Sequence, residues 1–172
     1  MDKNYACLML DFEMPKLIKE LQKKIKIDDI FLAEDANYGL EKECHVTIVF
    51  GLENDVTVSD LKKHLSPLKD YRALLTSITK FENEEYDVLK VDVKCPKAEE
   101  SNKLIRDNFK THNKFKDYHA HMTIAYLKKG KGDEYVKKLL DKFESFTPTT
   151  FSYSWYEDDN DPYSRKKEYF KI

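Results

Sequence analysis

The chain of 172 residues lacks a net charge of either sign that could hold a large polyanion or polycation. Its 30 basic side chains nearly balance its 32 acidic ones, for a formal net charge of −2. Because long duplex nucleic acid is held mainly by excess positive charge, this balance argues against it as a partner. A small phosphorylated ligand is still compatible with this composition.

Long apolar runs and an even set of cysteines are also missing. The apolar segment 6–10 is too short for a signal sequence or a membrane span. Cys7, Cys44 and Cys95 are odd in number and lie in apolar or strand-like surroundings, which is typical of reduced thiols. We therefore expect a soluble, cytoplasmic, monomeric protein without disulfides, and the cytoplasm is that of a host cell if the protein is viral.

Hydrophobic spacing predicts alternating strands and helices, with proline or a capping residue at several helix starts. The predicted strands are 5–12, 44–50, 71–81, 86–95, 121–127, 149–156 and 167–172. The predicted helices begin after Pro15, at Thr57 or Ser59, at Pro96, and near Tyr135, with the last one presenting Tyr135, Val136, Leu139, Leu140 and Phe143.

Two similar halves follow one another in this order of elements. His45-Val46-Thr47-Ile48 and His121-Met122-Thr123-Ile124 occupy the same place in each half. Leu61-Lys62-Lys63 and Val136-Lys137-Lys138 then fall at nearly the same offset. An internal duplication with pseudo-twofold symmetry would bring the two tripeptides face to face.

The His-x-Thr spacing suits acid–base chemistry at a phosphodiester. Residues i and i+2 of a strand share a face, so each histidine projects beside its threonine. One imidazole can accept a proton from an attacking hydroxyl, the other can protonate the leaving oxygen, and the threonines can bind the non-bridging oxygens. This chemistry requires no metal or cofactor, and the residues do not assign the base and the acid.

Simple alternation also predicts the facing of the residues after each motif. It places Phe50 and Tyr126 on the opposite face of their strands. The next residues on the site face would then be Val49 and Ala125, small enough to leave room for a ligand.

The paired motifs resemble the 2H phosphoesterase superfamily, and the resemblance spans the whole chain. It implies an α+β, two-lobed, pseudo-twofold fold in which antiparallel sheets line a central cleft and helices lie outside. We expect one domain over residues 1–172, with lobes at about 1–82 and 83–172, and an exchange of termini between lobes is left open. The resemblance gives His45, Thr47, His121 and Thr123 the catalytic roles.

Within that superfamily, the opening residues 5–8 and the run 121–129 are most similar to phage anti-CBASS phosphodiesterases. That similarity implies cleavage of 3′-5′ bonds in cyclic di- and trinucleotide immune messengers. It also implies that Tyr5 contacts a base, and Trp155 is the best further candidate for stacking on a base. For Trp155 the alternative is ordinary core packing.

Other interpretations of these residues remain open. His119 and His121 could be two ligands of a metal, although no completing cluster is visible in the sequence. The acidic segment 157–161 could bind a divalent cation or be a solvated loop. His64 and His112 are predicted to be surface residues without a role.

Other functions are also compatible with the same four residues. They could serve a 2′,3′-cyclic phosphodiesterase, a 2′-5′ oligonucleotide phosphodiesterase or an RNA ligase. A protein that only sequesters a nucleotide in the same cleft is the alternative outside catalysis.

Overall fold

The computed structural model describes residues 3–34 and 38–171 as an α+β fold. The elements of this described part are β1 Ala6–Phe12, α1 Lys16–Lys24, β2 Cys44–Leu52, α2 Val58–Leu65, β3 Ala73–Glu82, β4 Tyr86–Lys94, α3 Pro96–Asn108, β5 His121–Lys128, β6 Ser145–Phe146, β7 Thr150–Tyr156 and β8 Arg165–Phe170. The final residue of the predicted strand 167–172 lies outside the described residues. The α+β class and the two-lobed fold expected from the sequence are confirmed.

Each helix begins next to a capping threonine or a proline. Thr57 caps α2 and forms a capping box with Asp60, which confirms the predicted capping role of Thr57. Pro96 is the first residue of α3, and Pro15 directly precedes α1. None of the described helices is both long and apolar enough to cross a bilayer.

All neighbouring strands of the sheet run antiparallel, in the order β6-β3-β4-β5-β2-β1-β7-β8. The two motif strands, β5 and β2, lie side by side at its centre. They are joined by one pair, Val46 with Met122, so a single eight-stranded sheet has a narrow central connection. The four strands on each side of this connection form the two halves of the sheet.

The two halves exchange strands. The chain builds β1 and β2 in one half, but β3 then crosses to the other half and pairs with β4. After β5 and β6, the chain crosses back, and β7 pairs with β1 in the half that holds β2. The half with β1 and β2 is therefore completed by β7 and β8, and the half with β4 and β5 contains β3 from the first part of the chain.

The helix predicted near Tyr135 is wrong. Only a 3₁₀ turn, Gly132–Tyr135, forms there. The following residues run along the outer edge of β3, where Ile78 and Lys137 exchange two backbone hydrogen bonds of 2.9 Å. Pairing with this open strand edge satisfies backbone groups that a helix would have satisfied internally. Three of the predicted core positions are consequently exposed: Val136 by 41%, Leu139 by 63% and Phe143 by 47%.

A β-bulge follows the threonine of each motif. In β2, Thr47 pairs with Met9 and Val49 with Leu8, which leaves Ile48 as the extra residue. In β5, Thr123 pairs with Lys90 and Ala125 with Leu89, which leaves Ile124 in the same position. The repetition of the bulge supports the internal duplication inferred from the motifs.

These bulges overturn the simple alternation predicted beyond each motif. Phe50 pairs with Cys7, and Cys7 shares a face with Met9, the partner of Thr47. The same argument on β4 places Tyr126 on the face of Thr123. Phe50 and Tyr126, rather than the buried Val49 and Ala125, therefore come after the motifs on the site face.

A side-chain amide binds the carbonyl of each bulged residue. Asn102 of α3 donates to the Ile48 oxygen at 2.7 Å, and Gln22 of α1 donates to the Ile124 oxygen at 3.0 Å. Thus α3 packs behind β2 and α1 behind β5, although each helix precedes the other motif strand in the chain. The amides satisfy carbonyl groups that an interrupted strand ladder would otherwise leave unpaired.

Candidate active site

The four predicted catalytic side chains lie on one face of the two central strands. Val46 and Met122 form the central pair and are fully buried on the opposite face. The residues flanking them, His45 with Thr47 and His121 with Thr123, are half-buried. Because β2 and β5 run antiparallel, each histidine lies beside the threonine of the other motif. The fold thus brings the quartet together around one position.

His121 is held in one tautomer by its own strand. Its Nδ1 lies 2.9 Å from the backbone oxygen of His119, and a carbonyl oxygen can only accept. Nδ1 therefore carries the proton, and the neutral ring keeps a free lone pair on Nε2. Burial lowers the pKa of His121 below its ordinary value, against the opposing effect of the His119 hydrogen bond. The edge of this ring also contacts Phe81, with 5.1 Å between ring centroids.

An aspartate lies directly opposite each histidine on the neighbouring strand. Asp11 of β1 pairs with His45, and Asp92 of β4 pairs with His121. We did not predict either aspartate from the sequence. The signal was present, because each interrupts an apolar run at the matching place in its half, in Leu10-Asp11-Phe12 and Val91-Asp92-Val93.

Both carboxylate oxygens of Asp92 accept hydrogen bonds from neighbouring side chains. Lys90 Nζ lies 2.5 Å from one carboxylate oxygen, and the hydroxyls of Ser77 and Thr79 donate at 2.8 and 2.9 Å. Burial raises the pKa of Asp92, but these hydrogen bonds outweigh it and hold the pKa below the ordinary value. This carboxylate is therefore ionised and engaged with Lys90.

Asp11 is only half satisfied. Its Oδ1 accepts a hydrogen bond of 3.0 Å from Ser152, while its Oδ2 is buried without a hydrogen-bond partner among the described residues. Burial raises the pKa of Asp11, and the Ser152 hydrogen bond, Lys167 and His45 partly offset that rise. A charged neighbour that can donate to Oδ2 would stabilise this carboxylate.

The arrangement of the strands and helices is similar to that of solved structures. The structure of Kluyveromyces marxianus Usb1 superposes with a TM-score of 0.61 at 7% identity, covering 99% of each chain. This chain has the Usb1 fold. A structure described as a phosphoesterase (TM-score 0.48, 13% identity, 99% and 96% coverage) and Escherichia coli LigT with phosphate (0.45, 14%, 98% and 96%) are also similar. Sequence comparison finds no matching family model and no matching curated protein.

On this Usb1-like sheet, Tyr5 lies just before β1, at the end of the site face marked by Phe50. Its ring stacks on His112 with 4.4 Å between centroids. His112 in turn lies 2.5 Å from a carboxylate oxygen of Glu53 and is half-buried, with 28% of its side chain exposed. The structure thus joins Tyr5 to His112 rather than to a motif histidine.

Trp155 lies on the face opposite the motifs. Its strand neighbours Ser152 and Ser154 pair with Met9 and Cys7, on the site face, so Trp155 projects the other way. Its ring stacks on the buried Tyr153, with 5.6 Å between centroids. The structure therefore places Trp155 in the packing of the helix-covered face and does not bring it to the histidines.

A cluster of aromatic rings that we did not predict borders the site. Tyr126 follows Thr123 on the site face, and its ring lies 5.2 Å from Tyr38 and 5.6 Å from Tyr86. Phe31 completes the cluster at 5.0 Å from Tyr86. All four are half-buried, so ring surface lies next to the quartet. Simple strand alternation placed Tyr126 on the opposite face, so the cluster was not predicted. The β-bulge after Thr123 is what places Tyr126 on the site face.

The remaining histidines lie outside the two central strands. His64 is half-buried in α2, where its Nδ1 lies 2.9 Å from the Asp60 oxygen, and His119 is exposed before β5. In residues 3–34 and 38–171, no three side chains of His, Cys, Asp or Glu are grouped as metal ligands.

The acidic segment 157–161 uses its carboxylates within the fold. Asp159 pairs with Lys3 at 2.8 Å and accepts a hydrogen bond from Asn54, and Asp161 accepts from the Tyr163 backbone. Its contacts are those of a structured loop.

Proposed function

We propose that this protein is a metal-independent phosphodiesterase that opens cyclic di- and trinucleotides at a 3′-5′ bond. Its substrates would be immune messengers, and the protein would serve phage evasion of CBASS defence. The observation that carries the proposal is the quartet of His45, Thr47, His121 and Thr123 on one face of adjacent strands. Two imidazoles and two hydroxyls around one position can supply a base, an acid and ligands for phosphate oxygens.

The surroundings of the quartet support a small nucleotide with several phosphates. The aromatic cluster around Tyr126 offers ring surface on which a base can stack. Beyond the other motif, Lys167 pairs with Ser154 on the site face, and Arg165 donates to the Ser154 hydroxyl at 3.3 Å. Cationic side chains on this face favour phosphate groups. The resemblance of residues 121–129 to anti-CBASS enzymes supports the choice of messenger.

The test is a substrate panel incubated in EDTA and analysed by chromatography. The panel contains 3′,3′-cyclic dinucleotides, cyclic trinucleotides, 2′,3′-cyclic nucleotides and 2′-5′ oligoadenylates. We expect ring opening of the cyclic oligonucleotides by the wild type and its loss in His45→Ala and His121→Ala. His119→Ala is the matched control, because it keeps the backbone oxygen that orients His121.

Three outcomes would contradict the proposal. Turnover of the 2′-5′ or 2′,3′-cyclic substrates alone would favour the alternative activities. Tight binding without products would indicate a sequestering protein. Equal turnover by the two motif variants and the wild type would place the chemistry elsewhere.

A further inference from the structure

Positive charge on the site face is used differently in the two halves of the sheet. In the half that holds His121, Lys90 lies on this face, opposite Thr123. Its Nζ is bound to Asp92 at 2.5 Å and to the Thr79 hydroxyl at 2.6 Å. Only 7% of this side chain is exposed, so the charge of Lys90 is already compensated within the protein.

In the half that holds His45, two cationic side chains lie on the site face of the edge strand β8. Strand register places Lys167 opposite Ser154, and Arg165, two residues earlier, has the same facing. Lys166, between them, projects to the helix-covered face. Alternation along β8 thus puts two of three consecutive cations on the side of the motifs.

Both side chains extend from β8 over its neighbour toward the central strands. The Arg165 guanidinium donates to the Ser154 hydroxyl on β7 at 3.3 Å. Lys167 Nζ lies 3.8 Å from a carboxylate oxygen of Glu43, which directly precedes β2. Burial raises the pKa of Cys7 on β1, and both cations oppose that rise. Their positive charge is therefore held between the edge strand and β2.

Small side chains form the surface beneath these cations. Cys7, Ser152 and Ser154 lie on the site face of β1 and β7 and are between 2% and 6% exposed. Because adjacent strands are about 4.8 Å apart, β7 lies about 10 Å from β2. A single phosphate at the quartet does not span that distance, whereas a cyclic oligonucleotide carries a further phosphate beyond the one that is cleaved.

The charges of the two cations are not compensated as that of Lys90 is. A guanidinium carries five donors, and the hydroxyl that Arg165 binds is neutral. The Glu43 side chain near Lys167 is 72% exposed, and exposed ion pairs contribute little. A phosphate can accept hydrogen bonds from both cations, and the planar fork of arginine matches its oxygens.

We propose that Arg165 and Lys167 of β8 bind a second phosphate of the substrate, apart from the phosphate that is cleaved at the quartet. This inference rests on the proposed function, because it assigns a place to the phosphate that stays intact. It deepens that function by stating that the preferred substrate carries at least two phosphates. Ligands with one phosphate, such as 2′,3′-cyclic nucleotides, lack the group that this site binds.

Charges at a sheet edge also have a structural use. β8 is the last strand of the sheet, and charged side chains on an edge strand discourage pairing with other chains. That use alone would involve Lys166 as much as Arg165 or Lys167, and it would not change the binding of substrate. Kinetics on two matched substrates therefore separate the two roles.

The test removes one charge from the substrate without changing its ring or its bases. Two 3′,3′-cyclic dinucleotides each carry a 2′-deoxy sugar at one linkage, so that only the other linkage can be opened by a 2′-hydroxyl. The linkage that stays intact is a phosphate in the first substrate and a neutral methylphosphonate in the second. The measured quantity is kcat/KM for each substrate.

We expect the wild type to lose about 10- to 100-fold in kcat/KM on the neutral analogue, the range for hydrogen bonds to a charged group. The double variant Arg165→Gln with Lys167→Gln should lose as much on the phosphate substrate and little more on the analogue, because both changes remove the same interaction. Lys166→Gln is the matched control. It removes the same charge on the opposite face and should behave as the wild type does on both substrates.

Equal kcat/KM of the wild type on the two substrates would overturn the proposal, and so would losses from the double variant and the analogue that multiply in full. A loss in Lys166→Gln as large as that in the double variant would show a general effect of charge and would also overturn it. If the wild type cleaves neither substrate, the proposed function fails. Calorimetric binding of the two ligands then decides the second site by the same comparison, and an absence of binding would overturn it.

Discussion

In the half of the sheet that holds His45, a buried aspartate oxygen lacks a partner among the described residues, whereas in the half that holds His121 the corresponding aspartate is bound to a lysine. Both halves repeat the motif, the β-bulge and the amide that binds its carbonyl. The backbone is thus duplicated, while the charges have diverged. An acid and a base must start in opposite protonation states, so equivalent scaffolds with unlike charges suit the two roles.

The largest expected effect tests whether the two halves act as one unit. His45→Ala and His121→Ala should each lower kcat by about 10²- to 10⁴-fold. The double variant should lose much less than the product of the two, because groups acting in one step are not additive. Single-turnover rates of the three variants on one cyclic dinucleotide measure this. Fully multiplicative losses would show that the histidines act independently.

The next comparison is between α2 and residues 136–143, which were predicted to form the corresponding helix of the second half. Leu65 of α2 is fully buried, so Leu65→Ala should cost about 2–5 kcal/mol in the free energy of unfolding. Leu139 is 63% exposed, so Leu139→Ala should change it by less than about 0.5 kcal/mol. Urea unfolding measures both. Equal costs would mean that residues 136–143 pack as a helix after all.

The two amides at the bulges should differ in importance. Asn102→Ala leaves the buried Ile48 carbonyl without this donor and should cost about 1–3 kcal/mol in unfolding free energy. Gln22→Ala should cost less, because the Ile124 oxygen also accepts a 2.9 Å hydrogen bond from the Glu41 backbone. Guanidinium titrations of the two variants make the comparison. A larger loss in Gln22→Ala would contradict it.

The aromatic cluster distinguishes the site face from the helix-covered face. If a base stacks on Tyr126, Tyr126→Leu should raise KM by about 5- to 100-fold. Trp155→Leu, on the opposite face, should leave KM unchanged. Steady-state kinetics on a cyclic dinucleotide would show both. If KM rose in Trp155→Leu and not in Tyr126→Leu, the result would indicate that Trp155, rather than Tyr126, contacts the substrate.

The smallest expected effect concerns pH. Burial lowers the pKa of His121 from the value of 6.5 that it has when unfolded, so below pH 6.5 the unfolded chain binds more protons there than the folded chain. This contribution to stability is complete above pH 6.5 and is lost as the pH falls toward the lowered pKa. Unfolding free energies at pH 7.5 and 5.5 should therefore differ less in His121→Gln than in the wild type. His119→Gln, at an exposed position, should behave as the wild type does.

Local patterns were enough to predict seven of the eight described strands, three of the helices and the meeting of the two motifs, but not the two-residue strand β6. The failures arose where distant parts of the chain decide the local structure. The spacing of Tyr135 and Leu139 is helical, but an open edge of β3 was available to pair with their segment. The face of the sheet to which Phe50 and Tyr126 project depends on β-bulges, and these bulges are stabilised by amide side chains from helices distant in the sequence. The aspartates gained meaning only when strand register set them opposite the histidines.

Because the halves exchange strands, the two halves of the sheet can be completed only at different times during translation. β1 and β2 leave the ribosome first, but β7, the outer neighbour of β1, is among the last strands made. Until then β1 keeps an unpaired edge that could associate with other chains. The half that holds His121 receives β3, β4 and β5 consecutively and is complete earlier, apart from its short edge strand. A ribosome that stops before β7 would therefore release a chain carrying both motifs but only one closed half.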